Sequence, residues 1–123
     1  MIISRVGEVP RNERGAGQIS HLLLGRPEER APLCVTWVEA APGSQQDAHI
    51  HPDSTQVYVI VDGAGRMTVD DEQQDVTAGT MICIPPGRRH MIRNTGPGRL
   101  TYVSATVPPF PVRHDERTWE PAG

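Results

Sequence analysis

The hydrophobic positions form short runs bounded by turn-forming residues, and no run repeats every 3.6 residues over three helical turns. The strongest run is Thr55–Asp62 (TQVYVIVD), which is rich in β-branched residues and largely apolar on both faces. Other runs predict a strand at IISRV near the N-terminus and strands at residues 18–24, 33–41, 65–69, 73–77, 79–84, 90–93 and 99–107. Roughly eight to ten short strands with little helix predict an all-β sandwich or barrel.

Turn-forming residues are frequent, because glycine and proline occupy 12 positions each among the 123 residues. This composition favours many strands joined by tight turns over a helical bundle. The pair Asp62-Gly63 predicts a hairpin, with residues 65–69 returning antiparallel to the strand before it. The length predicts one domain over residues 1–123, and residues 112–123 are polar enough to form a loosely packed tail.

Composition argues against several classes of function. The net charge of −3 gives no electrostatic case for nucleic acid or an anionic membrane as a partner, and no apolar run approaches the roughly 18 residues of a membrane span. The N-terminus lacks the apolar stretch of a secretory signal, so we expect a cytoplasmic protein. All 12 residues counted as lysine or arginine are arginine, which excludes Schiff-base and P-loop lysine chemistry. Cys34 and Cys83 lie in apolar runs and are expected to be reduced core residues.

Three histidines mark a candidate metal site. His49 and His51 are two positions apart, so on an extended strand their imidazoles project from the same face. Gln56 begins the next strand, and His90 follows a Pro-Pro-Gly turn much later in the chain. Pairing between strands brings such distant residues together in a β-barrel. If the three histidines converge, their ring nitrogens should lie within about 4 Å of one another.

The glycines and prolines around these residues follow two blocks. The first is G-x5-H-x-H-x4-Q-x6-G over residues 43–63, and the second is G-x5-P-x-G-x2-H-x3-N over residues 79–94. Both resemble the two signature blocks of the cupin superfamily, and the single departure is Gln56 in place of the usual glutamate. Because one pair of blocks is present, the chain is identified as a small single-domain cupin.

The resemblance implies a double-stranded β-helix barrel in which His49, His51, Gln56 and His90 bind one divalent metal. Imidazole and oxygen ligands suit Fe, Mn, Ni, Co, Cu or Zn rather than Ca or Mg. Glutamine brings no charge, so the metal would be a stronger Lewis acid than it is beside glutamate. The other interpretation is that Gln56 weakens metal binding and leaves a vestigial site.

Three further residues are candidates for catalytic contact with a substrate. Tyr58 shares a face with the candidate ligand on its strand, and it either donates a hydrogen bond or a proton in the cavity or simply fills the barrel. Tyr102 lies on the mostly polar face of the last strand, which suits either a cavity or solvent. Arg88 is either a clamp for a substrate carboxylate or a solvated turn residue. His21 and His114 lie outside both blocks and are expected to be structural or exposed.

Three classes of function remain open for a chain of this kind. The preferred one is a redox-neutral metalloenzyme, a lyase, isomerase or cyclase that polarises a carbonyl, carboxylate or hydroxyl oxygen of a small metabolite. The alternatives are an O₂-dependent non-haem dioxygenase and a non-catalytic module that binds a small molecule. Turnover in the absence of O₂ would separate the first two classes.

A homodimer is also expected. Val57, Val59 and Val61 alternate with the face that carries Gln56, so they form an apolar surface outside the cavity. A surface of this kind needs a cover. Residues 2–3 or 22–24 of a second copy are expected to provide part of it.

Overall fold

The computed structural model describes residues 1–13 and 17–109, which form nine β-strands and two short 3₁₀ turns, Val6–Glu8 and Pro27–Glu29. The strands in chain order are β1 (Arg11–Glu13), β2 (Gln18–Leu24), β3 (Cys34–Ala40), β4 (Thr55–Asp62), β5 (Ala64–Val69), β6 (Glu72–Thr77), β7 (Met81–Ile84), β8 (His90–Asn94) and β9 (Leu100–Val107). Neither turn in this part of the chain is long or apolar enough to cross a bilayer. The prediction of an all-β fold is confirmed.

The strands form two antiparallel sheets. The larger sheet has the order β1-β2-β3-β9-β4-β7, and the smaller sheet has the order β6-β5-β8. β9 lies inside the larger sheet because it pairs with β3 on one side and with β4 on the other. Strands that are neighbours in the sheet are therefore distant in the chain, as expected for a double-stranded β-helix.

The hydrophobic core lies between the two sheets. Tyr58, Ile60 and Tyr102 contribute from the larger sheet, and each is at most 1% exposed. Met67 and Ile92 meet them from the smaller sheet. The buried positions alternate with more exposed ones along β4 and β8, which is the period of two that distinguishes strands from helices. Burial of one such aliphatic or aromatic side chain stabilises the fold by about 1.5–3 kcal/mol.

Asn94, the last residue of the second block, joins the end of β3 to the loop between β8 and β9. Its Nδ2 donates to the carbonyl oxygens of Ala40 and Gly98 at 3.0 and 2.8 Å, and its Oδ1 accepts the amide of Gly96 at 2.9 Å. The side chain is 1% exposed. An amide offers both donors and an acceptor, so the buried asparagine side chain pairs with all three backbone groups at once.

The strand predicted at IISRV is wrong. Ile2 and Ile3 are 56% and 65% exposed, and the first strand is β1, which pairs with β2 through Arg11 and His21. A strand forms where the backbone reaches a partner edge. The β-propensity of the two isoleucines does not form a strand without such a partner.

The predicted hairpin at Asp62-Gly63 is also wrong, because β4 and β5 belong to different sheets. The chain crosses between the sheets at Gly63, where φ is +92°. A Cβ at this position would lie 2.5 Å from the carbonyl oxygen of Arg99 and 3.0 Å from Cα of Leu100. Both the positive φ and the close approach of a second backbone segment require glycine here.

We expect Gly63→Ala to lower the free energy of unfolding by about 3 kcal/mol or more, since it adds a steric clash to the roughly 1–2 kcal/mol strain of a positive φ. Gly43→Ala is the matched control. Gly43 has a φ of +78°, but an added Cβ would meet no atom within 4 Å. The difference between the free energies of unfolding of the two variants, measured in urea, gives the cost of the clash alone. Equal losses of stability would contradict the role assigned to the Arg99 contact.

The two cysteines differ in environment. Cys34 is buried as predicted, but Cys83 is exposed, so the prediction that both belong to the core is wrong. On β7 the inward positions are taken by Ile82, which lies opposite the buried Tyr58, and by Ile84. Cys83 alternates with them and therefore faces outward.

Candidate metal centre

Backbone pairing brings the three histidines together. His90 begins β8, and the segment 41–54 between β3 and β4 runs alongside it without forming a regular strand. His49 and His90 exchange backbone hydrogen bonds at 3.0 and 2.9 Å, and the carbonyl of His51 accepts the amide of Gly87 at 3.0 Å. The ring centroids are 4.2 Å apart for His49–His90, 4.8 Å for His49–His51 and 5.2 Å for His51–His90. The imidazoles therefore form one cluster.

Backbone carbonyls determine which nitrogen carries the proton in two of these rings. Nδ1 of His49 lies 2.8 Å from the carbonyl oxygen of Asp47, and Nδ1 of His90 lies 2.9 Å from that of Arg88. Because a carbonyl oxygen only accepts, each Nδ1 carries the proton and donates it. In a neutral imidazole the lone pair is then on Nε2, which is the arrangement that orients a histidine toward a metal.

His90 is the most deeply placed of the three and is 1% exposed. Burial lowers the pKa of His90 below its ordinary value, the bond to the Arg88 carbonyl acts in the opposite direction, and the nearby His49 lowers the pKa further. The imidazole is therefore neutral near pH 7. A neutral imidazole is the form that binds a metal ion.

Gln56 meets His90 inside the barrel. Its Oε1 lies 2.8 Å from Nε2 of His90, and its Nε2 donates to Oγ of Ser104 at 2.8 Å. With the His90 proton on Nδ1, both facing atoms present lone pairs, which a shared cation would satisfy; in a chain without the cation, rotation of the amide by 180° lets it donate to His90 and accept from Ser104 instead. Two ligands at right angles, each about 2.1 Å from a metal, would be about 3.0 Å apart, close to the spacing observed.

The donor set fits a divalent transition metal. The ligand atoms of His49, His51 and His90 all lie within 4.8 Å of one another, which is wider than the spread expected from the sequence. Ligand atoms that share one ion at about 2.1 Å lie about 3.0–3.4 Å apart, so the widest separation would shrink by about 1.5 Å on binding. His49 and His51 are half-buried on a segment without regular secondary structure, so rotation of their side chains can supply this movement. The three histidines could hold one metal ion.

Two tyrosines line the interior beside the histidines. Tyr58 and Tyr102 are buried, their ring centroids are 4.8 Å apart, and the ring of Tyr58 is 6.2 Å from that of His90. Gln46 holds both, because its Nε2 lies 2.8 Å from the Tyr102 hydroxyl and 3.2 Å from the Tyr58 hydroxyl. Its Oε1 accepts the amide of Ile92 at 3.1 Å. The mostly polar face of β9 therefore points into the barrel rather than to solvent.

Gln46 was not found by sequence reasoning. It lies within the first block, but nothing in the local pattern separates it from Gln45, which is exposed. The interior position of Gln46 depends on the pairing of its backbone with Ile92, where its amide donates to the Ile92 carbonyl at 3.1 Å. That pairing joins residues 46 positions apart and has no local signal.

Arg88 touches the cluster through its backbone rather than its side chain. Its carbonyl accepts the proton of His90, while its exposed guanidinium donates to Oδ2 of Asp70 at 2.7 Å. The same carboxylate accepts the amide of Arg89 at 3.2 Å. The hydrogen bond from Arg88 lowers the pKa of Asp70, and the bond from the Arg89 amide adds to this effect. The role of Arg88 as a clamp for a substrate carboxylate stays a prediction.

The remaining histidines lie outside the cluster or outside the described residues. His21 is buried, and its Nε2 lies 3.1 Å from Oε1 of Glu39, whose Oε2 accepts from Arg99 at 2.7 Å. This is a structural contact, as predicted. His114 and the tail predicted at residues 112–123 lie outside the residues that the structure describes.

The sequence is similar to proteins of one family. The profile of the family described as Cupin domain matches residues 36–106, which is more than half of the chain. An uncharacterized protein of Methanocaldococcus jannaschii is 38% identical over 55% of this chain and 54% of its own length. The tetracenomycin polyketide synthase protein TcmJ of Streptomyces glaucescens is 28% identical over 60% of this chain and 51% of its own length. The chain thus spans about half the length of these two relatives.

Solved structures are similar over more of the chain. A predicted oxalate decarboxylase from Thermotoga maritima superposes with a TM-score of 0.77 at 20% identity, covering 85% of this chain and 97% of that one. An RmlC-like cupin from Shewanella frigidimarina has a TM-score of 0.74 at 20% identity, covering 88% and 91%. The similarity to solved structures shows the fold, and the match to the family profile shows membership of the family. This chain belongs to the cupin family.

Proposed function

We propose that this chain is a metal-dependent enzyme that acts on a small metabolite rich in carboxylate or carbonyl oxygens, by redox-neutral chemistry of the lyase, isomerase or cyclase type. The observation that carries the proposal is an uncharged donor set, consisting of His49, His51, His90 and Gln56. The distance of 2.8 Å between Oε1 of Gln56 and Nε2 of His90 supports Gln56 as the oxygen ligand.

An uncharged donor set favours polarisation of a substrate. A divalent metal at this site would supply a Lewis acid that draws electron density from a substrate oxygen. Because none of the four ligands is a carboxylate, the full charge of the ion acts on the substrate. Gln56 cannot titrate, so any proton transfer in the reaction falls to other side chains.

The buried hydroxyl groups are suited to binding and proton transfer. The ring of Tyr58 is 6.2 Å from the ring of His90, and we assign to Tyr58 a hydrogen bond or a proton to a substrate oxygen. Tyr102 would bind a second oxygen. Gln46 restrains both hydroxyls, which reduces the entropy lost when a substrate is oriented.

Two of the similar proteins support the substrate class. One solved structure is described as a predicted oxalate decarboxylase, and one relative is a polyketide synthase protein. Oxalate carries two carboxylates and polyketides carry repeated carbonyls, so both names point to oxygens that a Lewis acid polarises. A substrate carboxylate would bind Arg88 only by replacing Asp70 as its partner.

The proposal is tested by turnover with and without O₂. The protein is loaded in turn with Fe, Mn, Co, Ni, Cu and Zn as divalent ions and incubated with small dicarboxylates and 1,3-diketones, and products are identified by NMR. We expect conversion by at least one metal form at equal rates in air and under anaerobic conditions. Conversion that requires O₂ would indicate a dioxygenase instead. Binding without conversion by any metal form would indicate a binding module.

A further inference from the structure

Ser104 contacts the candidate ligand Gln56 from the neighbouring strand β9. The two residues lie diagonally across the pair of strands, since Ser104 is directly opposite Tyr58 and Gln56 is directly opposite Thr106. Diagonal neighbours reach each other when one side chain is long. Nε2 of Gln56 and Oγ of Ser104 are 2.8 Å apart, and both residues are 5% exposed. The contact is therefore shielded from water.

The amide of Gln56 has two partners with different hydrogen-bonding capacity. Nε2 of His90 carries a lone pair when the proton is on Nδ1, so in the absence of a metal ion it only accepts. The hydroxyl of Ser104 rotates, and it either donates or accepts. The nitrogen and the oxygen of an amide occupy nearly equivalent positions, so a rotation of 180° exchanges them. Each partner is 2.8 Å away, which is a hydrogen-bonding distance in both orientations.

We propose that the Gln56 amide rotates by 180° when a metal ion binds, and that Ser104 is the positioning residue that keeps the amide hydrogen-bonded in both orientations. Without the ion, Nε2 of Gln56 donates to Nε2 of His90, and Oε1 accepts the hydroxyl proton of Ser104. With the ion, Oε1 is the metal ligand and Nε2 donates to Oγ of Ser104. The inference rests on the metal site of the proposed function, but not on the class of reaction.

A hydroxyl group is suited to this role because it can exchange donation for acceptance. Alanine at position 104 would leave one end of the buried amide unpaired in both orientations, and an unpaired buried polar group is costly. The loss is greater in the metal-bound orientation, because a cation on Oε1 polarises the amide and makes its N–H a stronger donor. Ser104 therefore stabilises the metal-bound form more than the metal-free form.

Nuclear Overhauser effects from the side-chain amide protons of Gln56 test the rotation. In the metal-free protein we expect their strongest contacts to be with the ring protons of His90. After addition of Zn²⁺, which is diamagnetic, the strongest contacts should be with the β-protons of Ser104. The side-chain amide of Gln46, which binds the two buried tyrosines, is the internal control and should keep its contacts.

The ring signals of His49 and His51 show in the same spectra whether Zn²⁺ has bound. If these signals shift on adding Zn²⁺ while the contacts of Gln56 stay unchanged, the metal site stands and the proposed rotation is wrong. If the parent binds no Zn²⁺, the metal site itself is wrong, and the rotation is wrong with it. The two failures are therefore distinguishable.

The affinity for Zn²⁺ tests the role of Ser104. Loss of a group that orients a metal ligand costs about 10- to 100-fold, so Ser104→Ala should raise the dissociation constant by at least about 10-fold, whereas Ser104→Thr keeps the hydroxyl and should stay within about threefold. Thr36→Val is the matched control, because Thr36 lies directly opposite Ser104 on β3, and β9 separates it from Gln56. Circular dichroism checks that the variants fold. Equal affinities of Ser104→Ala and the parent would contradict the positioning role.

Discussion

Replacing His51 with alanine should abolish tight binding of a divalent metal and leave the barrel folded. His51 is half-buried, and the hydrogen bond from the Gly87 amide to its backbone carbonyl is retained by alanine. Loss of a group that only orients a metal ligand costs about 10- to 100-fold in affinity. Loss of the ligand itself should therefore cost more than about 100-fold.

Isothermal titration calorimetry with Mn²⁺ and Zn²⁺ measures this loss of affinity. His21→Gln is the matched control, because His21 contacts Glu39 outside the cluster and should not affect metal binding. Circular dichroism verifies that both variants keep the β-fold. If His51→Ala bound metal as tightly as the parent, the histidine cluster would not be the metal site.

Gln56→Glu should raise metal affinity by about 10- to 100-fold and destabilise the metal-free protein. A carboxylate adds a negative charge to the site and binds a divalent ion more strongly than an amide oxygen does. Without a metal, the same charge would be buried beside Ser104 and His90 and would cost several kcal/mol unless it took up a proton. The rise in melting temperature on adding metal should therefore be larger than in the parent.

The rates of the Gln56→Glu variant separate the two kinds of metal chemistry. If catalysis depends on Lewis acidity, turnover should fall even at full metal occupancy, because the added negative charge weakens the Lewis acid. If catalysis is oxidative, the same charge lowers the reduction potential of the metal, and turnover should hold or rise. Gln73→Glu places the same change on exposed β6 as a control. Weaker metal binding by Gln56→Glu than by the parent would contradict the assignment of Gln56 as a ligand.

Strands with strong local patterns were predictable from the sequence. The predicted bounds of β2 and β4 agree with the structure, and β9 differs by one residue at its start. The errors concern pairing. Whether IISRV reaches a partner edge, and whether Asp62-Gly63 turns within one sheet or crosses to the other, depends on closure of the barrel rather than on local propensity. Whether the Cys83 side chain faces inward or outward was not predictable, because every residue of its run, MICI, is apolar.

The histidine cluster was predictable because its geometry follows from two local rules. His49 and His51 are two residues apart, so their side chains project from the same side of an extended segment. The turn at residues 85–87 directs His90 toward them. Contacts made by backbone atoms, or by side-chain amides from distant parts of the sequence, follow no local sequence pattern. The carbonyl of Arg88 and the side chain of Gln46 act at the site through pairing that only the folded chain reveals.

Titration of the metal-free protein with Co²⁺ tests the central claim most directly, because imidazole ligands give Co²⁺ a visible absorption spectrum that reports the ion in its site. We predict that the absorbance rises linearly and saturates at one Co²⁺ per chain, and that His51→Ala gives no saturable signal. Absence of a saturable signal in the parent, or an identical titration of His51→Ala, would contradict the assignment of the three histidines as one metal site.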